Sequence, residues 1–419
     1  MVRIALADRR PLVPASEPAA LWMPATTSSI GSWVPITPVD ATSTCEEGMP
    51  SAAPASATIV QALSRPAVPV QALAAPVTVS RAQIQGGLAR AIVTNSGSAN
   101  ACTGTAGRDN AWTMVAETGA ALDVPASQVL VASTGVIGTQ LPIDEVVAGI
   151  HSAAGSLAGT NGRRSANAIR TTDRYPKLAQ SQVELAGGPV RIGGMAKGAG
   201  MIRPNMATTL AQVTLDAELP QAALRRILRN AVADSFNAIS VDGCTSTNDC
   251  VFMLANGASG VSVDGPRQLR LLSGAVSELM LDLAKQVVRD GEGSTRVCVY
   301  TVNGALSAPE ARAAARGVAE NTLVKCALHG GDPNWGRILA ALGAAGVHLD
   351  PGRVSVAVGG VPIVAGGGGI DGTTARARQQ LSKDEVEVEI SLGVGAGSAT
   401  VIASDLSPGY VQFNSASTT

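Results

Sequence analysis

Lys-Gly-Ala-Gly-Met-Ile-Arg-Pro-Asn-Met-Ala-Thr-Thr-Leu-Ala-Gln-Val-Thr-Leu-Asp-Ala, residues 197–217, is the stretch around which the chain is organised. A lysine stands on glycine-rich backbone, Pro204 stops regular structure, and a small residue, Ala207, precedes the hydroxyl of Thr208. From Thr209 onward β-branched and apolar residues run without a breaker, which predicts a strand. Two readings fit the junction. It is an ordinary strand start, or a threonine whose hydroxyl cleaves the bond before it and whose freed amine then serves as general base.

Outward from this stretch, helix and strand patterns alternate, which places the chain in the α/β or α+β class. Strands are expected at 67–70, 77–79, 89–94, 129–133, 182–185 and 189–192. Helices are expected at 109–122, with Asp109 as N-cap or first-turn acid, and at 143–158, 219–235 and 267–289. The last of these delivers the chain into Asp290-Gly291-Glu292-Gly293 and a strand at 296–302. A helix around 308–320 and another after residue 337 follow, and a closing hairpin pairs 386–390 with 399–402. Residues 366–369 read as a loop. Residues 1–56 are rich in Pro, Ala, Ser and Thr, and loop, diverged strands and disorder all fit that composition.

Composition excludes several functions. Hydrophobic residues make up 46% but aromatics only 2%, so a folded core must be assembled from small side chains. A net charge of −1 from 31 basic and 32 acidic residues leaves no footprint for nucleic acid and no polybasic membrane anchor. Apolar runs end well short of the roughly 18 residues a spanning helix needs. Charges interrupt what would be the apolar core of a signal peptide, so no secretory signal is expected. The six cysteines contain no C-x-x-C pair, which fits free thiols in a reducing, cytoplasmic compartment.

Other motifs resolve on their spacing. The glycines at 393, 395 and 397 imitate part of a dinucleotide fingerprint, but a strand pattern follows instead of a helix, and nucleotide binding is rejected. His151, His329 and His348 lack a second ligand at metal spacing, so neither a metal nor a cofactor is expected. Thr134-Gly135, after an apolar strand, is either a turn or a pair of donors for a developing oxyanion. Glu292 is a solvated turn acid or a partner for a cationic ligand. Lys197 is a surface lysine, a carboxylate binder, or a like charge that keeps the Thr208 amine deprotonated.

The segment 197–208 resembles the self-cleavage segment of the ornithine acetyltransferase family, also called the bifunctional glutamate N-acetyltransferases. Val-Ala-Ser-Thr-Gly-Val-Ile-Gly (131–138), Ser-Val-Asp-Gly-Cys-Thr-Ser-Thr-Asn-Asp (240–249), Asp-Gly-Glu-Gly (290–293) and Asp-Pro-Asn-Trp-Gly-Arg (332–337) extend the resemblance in order from about residue 85. It departs at Cys244, where the family often has an acidic residue. The resemblance implies a layered α-β-β-α sandwich of the ornithine acetyltransferase/DmpA type with a smaller C-terminal α/β domain. The expected division is an irregular segment 1–56, a catalytic sandwich 57–300 and a C-terminal domain 301–419.

It further implies cleavage between Ala207 and Thr208, and transfer of acetyl from N-acetylornithine to glutamate through acetyl-Thr208. Thr134 and Gly135 would be the oxyanion donors. Thr171, Lys197, Glu292, Asn414 and Thr419 would contact substrate, with Glu292 on its amine. The implied partners are these small molecules, with acetyl-CoA an open donor. The implied assembly is a heterotetramer of two α and two β fragments. The alternatives are a self-processing aminopeptidase or amidase of the same fold, and a binding protein without chemistry.

Overall fold

In the computed structural model, residues 36–38, 57–62, 74–155, 157–159, 161–202 and 209–416 are described. The strand expected at 67–70, and Ala207, Thr208 and Thr419, lie outside these residues.

Alternate residues of the fully buried strands face two different cores, and this builds the layers. In strands Ala91–Asn95 and Val129–Ser133, Val93, Val129 and Val131 pack with Met114, Val115 and Ile150 of helices Gly104–Leu122 and Ile143–Ala154. Ile92, Leu130 and Ala132 point the other way, onto Leu210, Phe252 and Leu254 of a second sheet. That sheet presents Val213, Val251 and Met253 to Leu224, Ile227, Leu283 and Val287 of helices Gln221–Asp234 and Gly265–Arg289. A period of two with both faces buried therefore yields helix, sheet, sheet, helix. This is the α-β-β-α order that the family resemblance implied.

The second sheet runs in the order Leu88–Ala89, Ala57–Ala62, Cys250–Ala255, Leu210–Leu215, Gly188–Lys197, Lys177–Leu185. Strand Leu210–Leu215 is parallel to Cys250–Ala255 and antiparallel to Gly188–Lys197, with Leu210 opposite Lys197. Both strands of the 177–197 hairpin are longer than their sequence patterns suggest, so Lys197 ends a ten-residue strand and the glycine-rich backbone follows it. A third sheet of seven strands, centred on Glu385–Ser391, Val297–Ala305 and Gly397–Ser404, encloses its own cluster with helix Ala308–Ala319.

Several sequence expectations are corrected. Val77-Thr78-Val79 lies in helix Ala75–Gln83, because Pro76 pre-forms the first turn and Ser80 Oγ bonds Val131 on the neighbouring strand. Asp109 sits inside helix Gly104–Leu122, which begins a full turn earlier. Strands 386–390 and 399–402 do not pair with each other. Val297–Ala305 runs between them, parallel to the first and antiparallel to the second. Gly368–Gly369 is a short strand on Val364–Ala365, not a loop. Within the irregular N-terminal segment Ile36–Pro38 forms a strand on Ala91–Asn95, at a sheet edge where proline is tolerated.

Candidate active site

Strand Val129–Ser133 ends at Thr134, which is fully buried. The Thr134 amide donates to Asn95 O at 2.8 Å, so it is committed to the sheet. The Thr134 hydroxyl accepts from Lys197 Nζ at 3.4 Å. Gly135 follows at φ 130°, and a Cβ there would stand 2.3 Å from Gly97 O. Only glycine fits this turn. Its amide has no protein acceptor among the described residues. The groups this turn leaves to donate are therefore the Thr134 hydroxyl and the Gly135 amide.

Lys197 is 1% exposed and donates to Thr171 Oγ1 at 2.8 Å, with Asp173 Oδ2 at 3.8 Å. It is no surface lysine. Burial pushes its ammonium below the ordinary lysine range, and the charge of Lys177 adds to the effect against the pull of Asp173, Glu292 and Asp249. Beneath it lies an ionic chain, buried at Asp173, Lys177 and Asp290 and open to solvent at Arg174. Lys177 bridges Asp173 and Asp290, and Arg174 Nε donates to Asp290 Oδ1 at 2.8 Å. Burial opposes ionisation of Asp173, but Lys197, Lys177 and the Gly198 amide together outweigh it and hold the carboxyl below its usual range.

Glu292 is 8% exposed and accepts from Thr172 Oγ1 at 2.7 Å and Asn414 Nδ2 at 3.1 Å. Burial raises its carboxyl above the ordinary range. Its carboxylate packs on Gly200, where a Cβ would lie 2.3 Å from Oε2. The glycine-rich loop holds this shape under strain, with Ala199 and Met201 at φ 98° and 53°. The Glu292 amide ties Ala199 O at 2.9 Å, and Asp242 accepts from Met201 N and Ile202 N.

These groups line one cleft of ≈ 180 Å³ whose walls include Thr134, Gly135, Thr171, Thr172, Lys197, Glu292 and Asn414. Six of the sequence-derived site residues thus converge. A larger cleft, ≈ 450 Å³, between helices Gln221–Asp234 and Gly265–Arg289 contains none of them. Thr172, Asp173, Lys177 and Asp290 carry no sign of a site in the sequence, although Asp290 stands in the motif that carries Glu292. Only their long-range pairing reveals them. His329 lies elsewhere, on Asp405 Oδ2 at 2.8 Å.

The cleft combines buried donors beside a hydroxyl, an ammonium of depressed basicity and a carboxylate facing the same space. That set suits acyl transfer on an amine-bearing substrate. Residues 67–419 match the ArgJ family model. Two curated relatives are each named arginine biosynthesis bifunctional protein ArgJ. That of Symbiobacterium thermophilum is 45% identical over 343 residues, covering 81% of this chain and 85% of the relative. That of Chlorobaculum tepidum is also 45% identical over 343 residues, with the same coverage, 81% and 85%. Among solved structures, the arginine biosynthesis bifunctional protein ArgJ of Bacillus halodurans is 31% identical, with TM-score 0.46, over 49% of this chain and 97% of that one. By the family match over most of its length, and by the identity it shares with these curated relatives, the chain belongs to the ArgJ family.

Proposed function

We propose that this ArgJ-family acetyltransferase of arginine biosynthesis moves the acetyl group of N-acetylornithine to glutamate through an ester on Thr208, after cleaving itself between Ala207 and Thr208. The observation that carries the reading is one of register. Lys197, a wall of the cleft that holds Thr134, Gly135 and Glu292, pairs with Leu210, and Leu210 stands two residues after Thr208 in the sequence.

In the first step Thr208 Oγ attacks the Ala207 carbonyl carbon and the bond to the Thr208 nitrogen breaks. Water then opens the ester, leaving an Ala207 carboxylate and a free α-amine, whose ordinary pKa of about 7.7–8.0 suits a base near neutrality. In the second, that amine takes the hydroxyl proton as Oγ attacks the acetyl carbonyl. Charge on the carbonyl oxygen is met by the Thr134 hydroxyl and the Gly135 amide, each such donor contributing about 2.7–4 kcal/mol. The C–N bond of N-acetylornithine breaks, its nitrogen collects the proton, and ornithine leaves. The glutamate amine then attacks the ester by the reverse sequence and regenerates Thr208. Glu292 complements the cationic amine of the ornithine substrate.

The proposed assembly is a heterotetramer of two copies of each fragment. An assay with N-acetylornithine, with and without glutamate, tests the reaction. Equal yields of ornithine and N-acetylglutamate are expected. Acetate released at the same rate without glutamate would make water the acceptor and the protein an amidase.

A further inference from the structure

Two adjacent residues, Asn248 and Asp249, grip the backbone on either side of the proposed reaction centre. Asn248 is 2% exposed. Its Nδ2 donates to Ser133 O at 2.8 Å and to Ala99 O at 2.5 Å. Asp249 Oδ1 accepts from the Thr209 amide at 2.8 Å, and the next amide, Cys250 N, donates to Thr209 O at 3.1 Å.

The peptide plane explains what these bonds hold. Ser133 C=O and Thr134 N–H share one rigid plane, and so do Thr208 C=O and Thr209 N–H. Asn248 therefore fixes the plane that leads into the oxyanion donors. Asp249 fixes the Thr209 amide, the first backbone group after the proposed nucleophile in sequence. Consecutive Cα atoms are about 3.8 Å apart whatever else moves, so one dipeptide ties the two planes together.

The residue types suit the task. Asn248 meets two carbonyls, which only a donor group can do. Asp249 meets one amide and needs only an acceptor oxygen. As a residue Asp249 is half-buried, but its carboxyl is desolvated, and burial raises it well above the usual carboxylate range against the Thr209 amide and Lys197. A carboxyl held toward its neutral form closely resembles an amide in shape and charge.

We propose that Asn248 and Asp249 are positioning residues that set the distance between the Thr134–Gly135 donors and the backbone amide of Thr209, an inference that rests on Thr208, the residue before it in sequence, being the nucleophile. Asn248→Ala, Asp249→Ala and Asp249→Asn, each as the full chain, test it. The readouts are cleavage by intact mass, kcat and KM for transfer, and thermal unfolding. The alanine variants are expected to lower kcat about 100-fold, the scale for a misplacement of about 1 Å, and to slow cleavage. KM should stay within about twofold because Glu292 and Asn414 are untouched. Asp249→Asn keeps an acceptor in place and should restore both processes to near the parent rate.

If the parent chain neither cleaves nor transfers, the threonine reading itself fails. If the parent does both and Asn248→Ala matches it, only the positioning role is overturned. Activity that falls only in step with the folded fraction, or an Asp249→Asn chain as impaired as Asp249→Ala, overturns it too. Should an alanine variant not fold, the isosteric asparagine arm still decides.

Discussion

Asn414 Nδ2 donates to Glu292 Oε2 at 3.1 Å across 122 residues of sequence. Helix Pro408–Ala416 is thereby docked on the Asp290–Gly293 turn, where Ser407 Oγ also donates to Gly293 O at 2.6 Å. The proposed amine-binding carboxylate is aimed by the last helix of the chain.

Replacing Glu292 by Gln removes the charge that would meet a cationic substrate. Binding of amine-bearing substrate should weaken by about 1.5–3 kcal/mol, seen as a rise in KM. Self-cleavage needs no external amine and should persist in intact-mass spectra. An uncleaved variant would move Glu292 into processing.

The same carboxyl makes stability depend on pH. Its folded pKa lies above the unfolded value of 4.5, so its contribution is fully present below 4.5 and is lost as pH rises through the folded value. Denaturant midpoints should therefore show Glu292→Gln gaining on the parent between pH 4 and pH 8. A constant difference across that window would show that Glu292 titrates normally.

Gly135→Ala should abolish most transfer. The new methyl meets Gly97 O and the backbone leaves φ 130°, which displaces one oxyanion donor. A fall in kcat of about 10²–10³-fold is expected from steady-state assays. Near-normal kcat would remove Gly135 from the reaction.

Breaking the ionic chain costs stability. Lys177→Met leaves Asp173 and Asp290 buried without their shared cation, and about 3–5 kcal/mol should be lost on chemical denaturation. A loss within experimental error would mean water already reaches the pair.

Thr208 carries the last test. Thr208→Ser keeps a hydroxyl and should cleave more slowly, because serine lacks the methyl that restricts the threonine rotamer. Thr208→Ala should remain one chain with no transfer. Thr209→Ala preserves the backbone amide that Asp249 accepts and should cleave. A cleaved, active Thr208→Ala protein would end the N-terminal threonine mechanism.

Local chemistry made much of this protein legible from sequence. Runs of β-branched and apolar residues without a breaker marked strands Val129–Ser133 and Leu210–Leu215, a 3.6-residue apolar stripe marked helix Gly265–Arg289, and glycine punctuation marked the turns at Gly135 and Glu292. These signals act over a few residues, so they can be read without partners. Tertiary structure decided what depends on distant partners. Val77–Val79 alternates like a strand but is helical because Ser80 bonds Val131. Strand order inserted Val297–Ala305 between two segments that look like a hairpin. Lys177 meets Asp290 from 113 residues away, and nothing in either neighbourhood announces the pair. A buried charge must find its counter-charge wherever packing brings it, and that choice belongs to the whole fold.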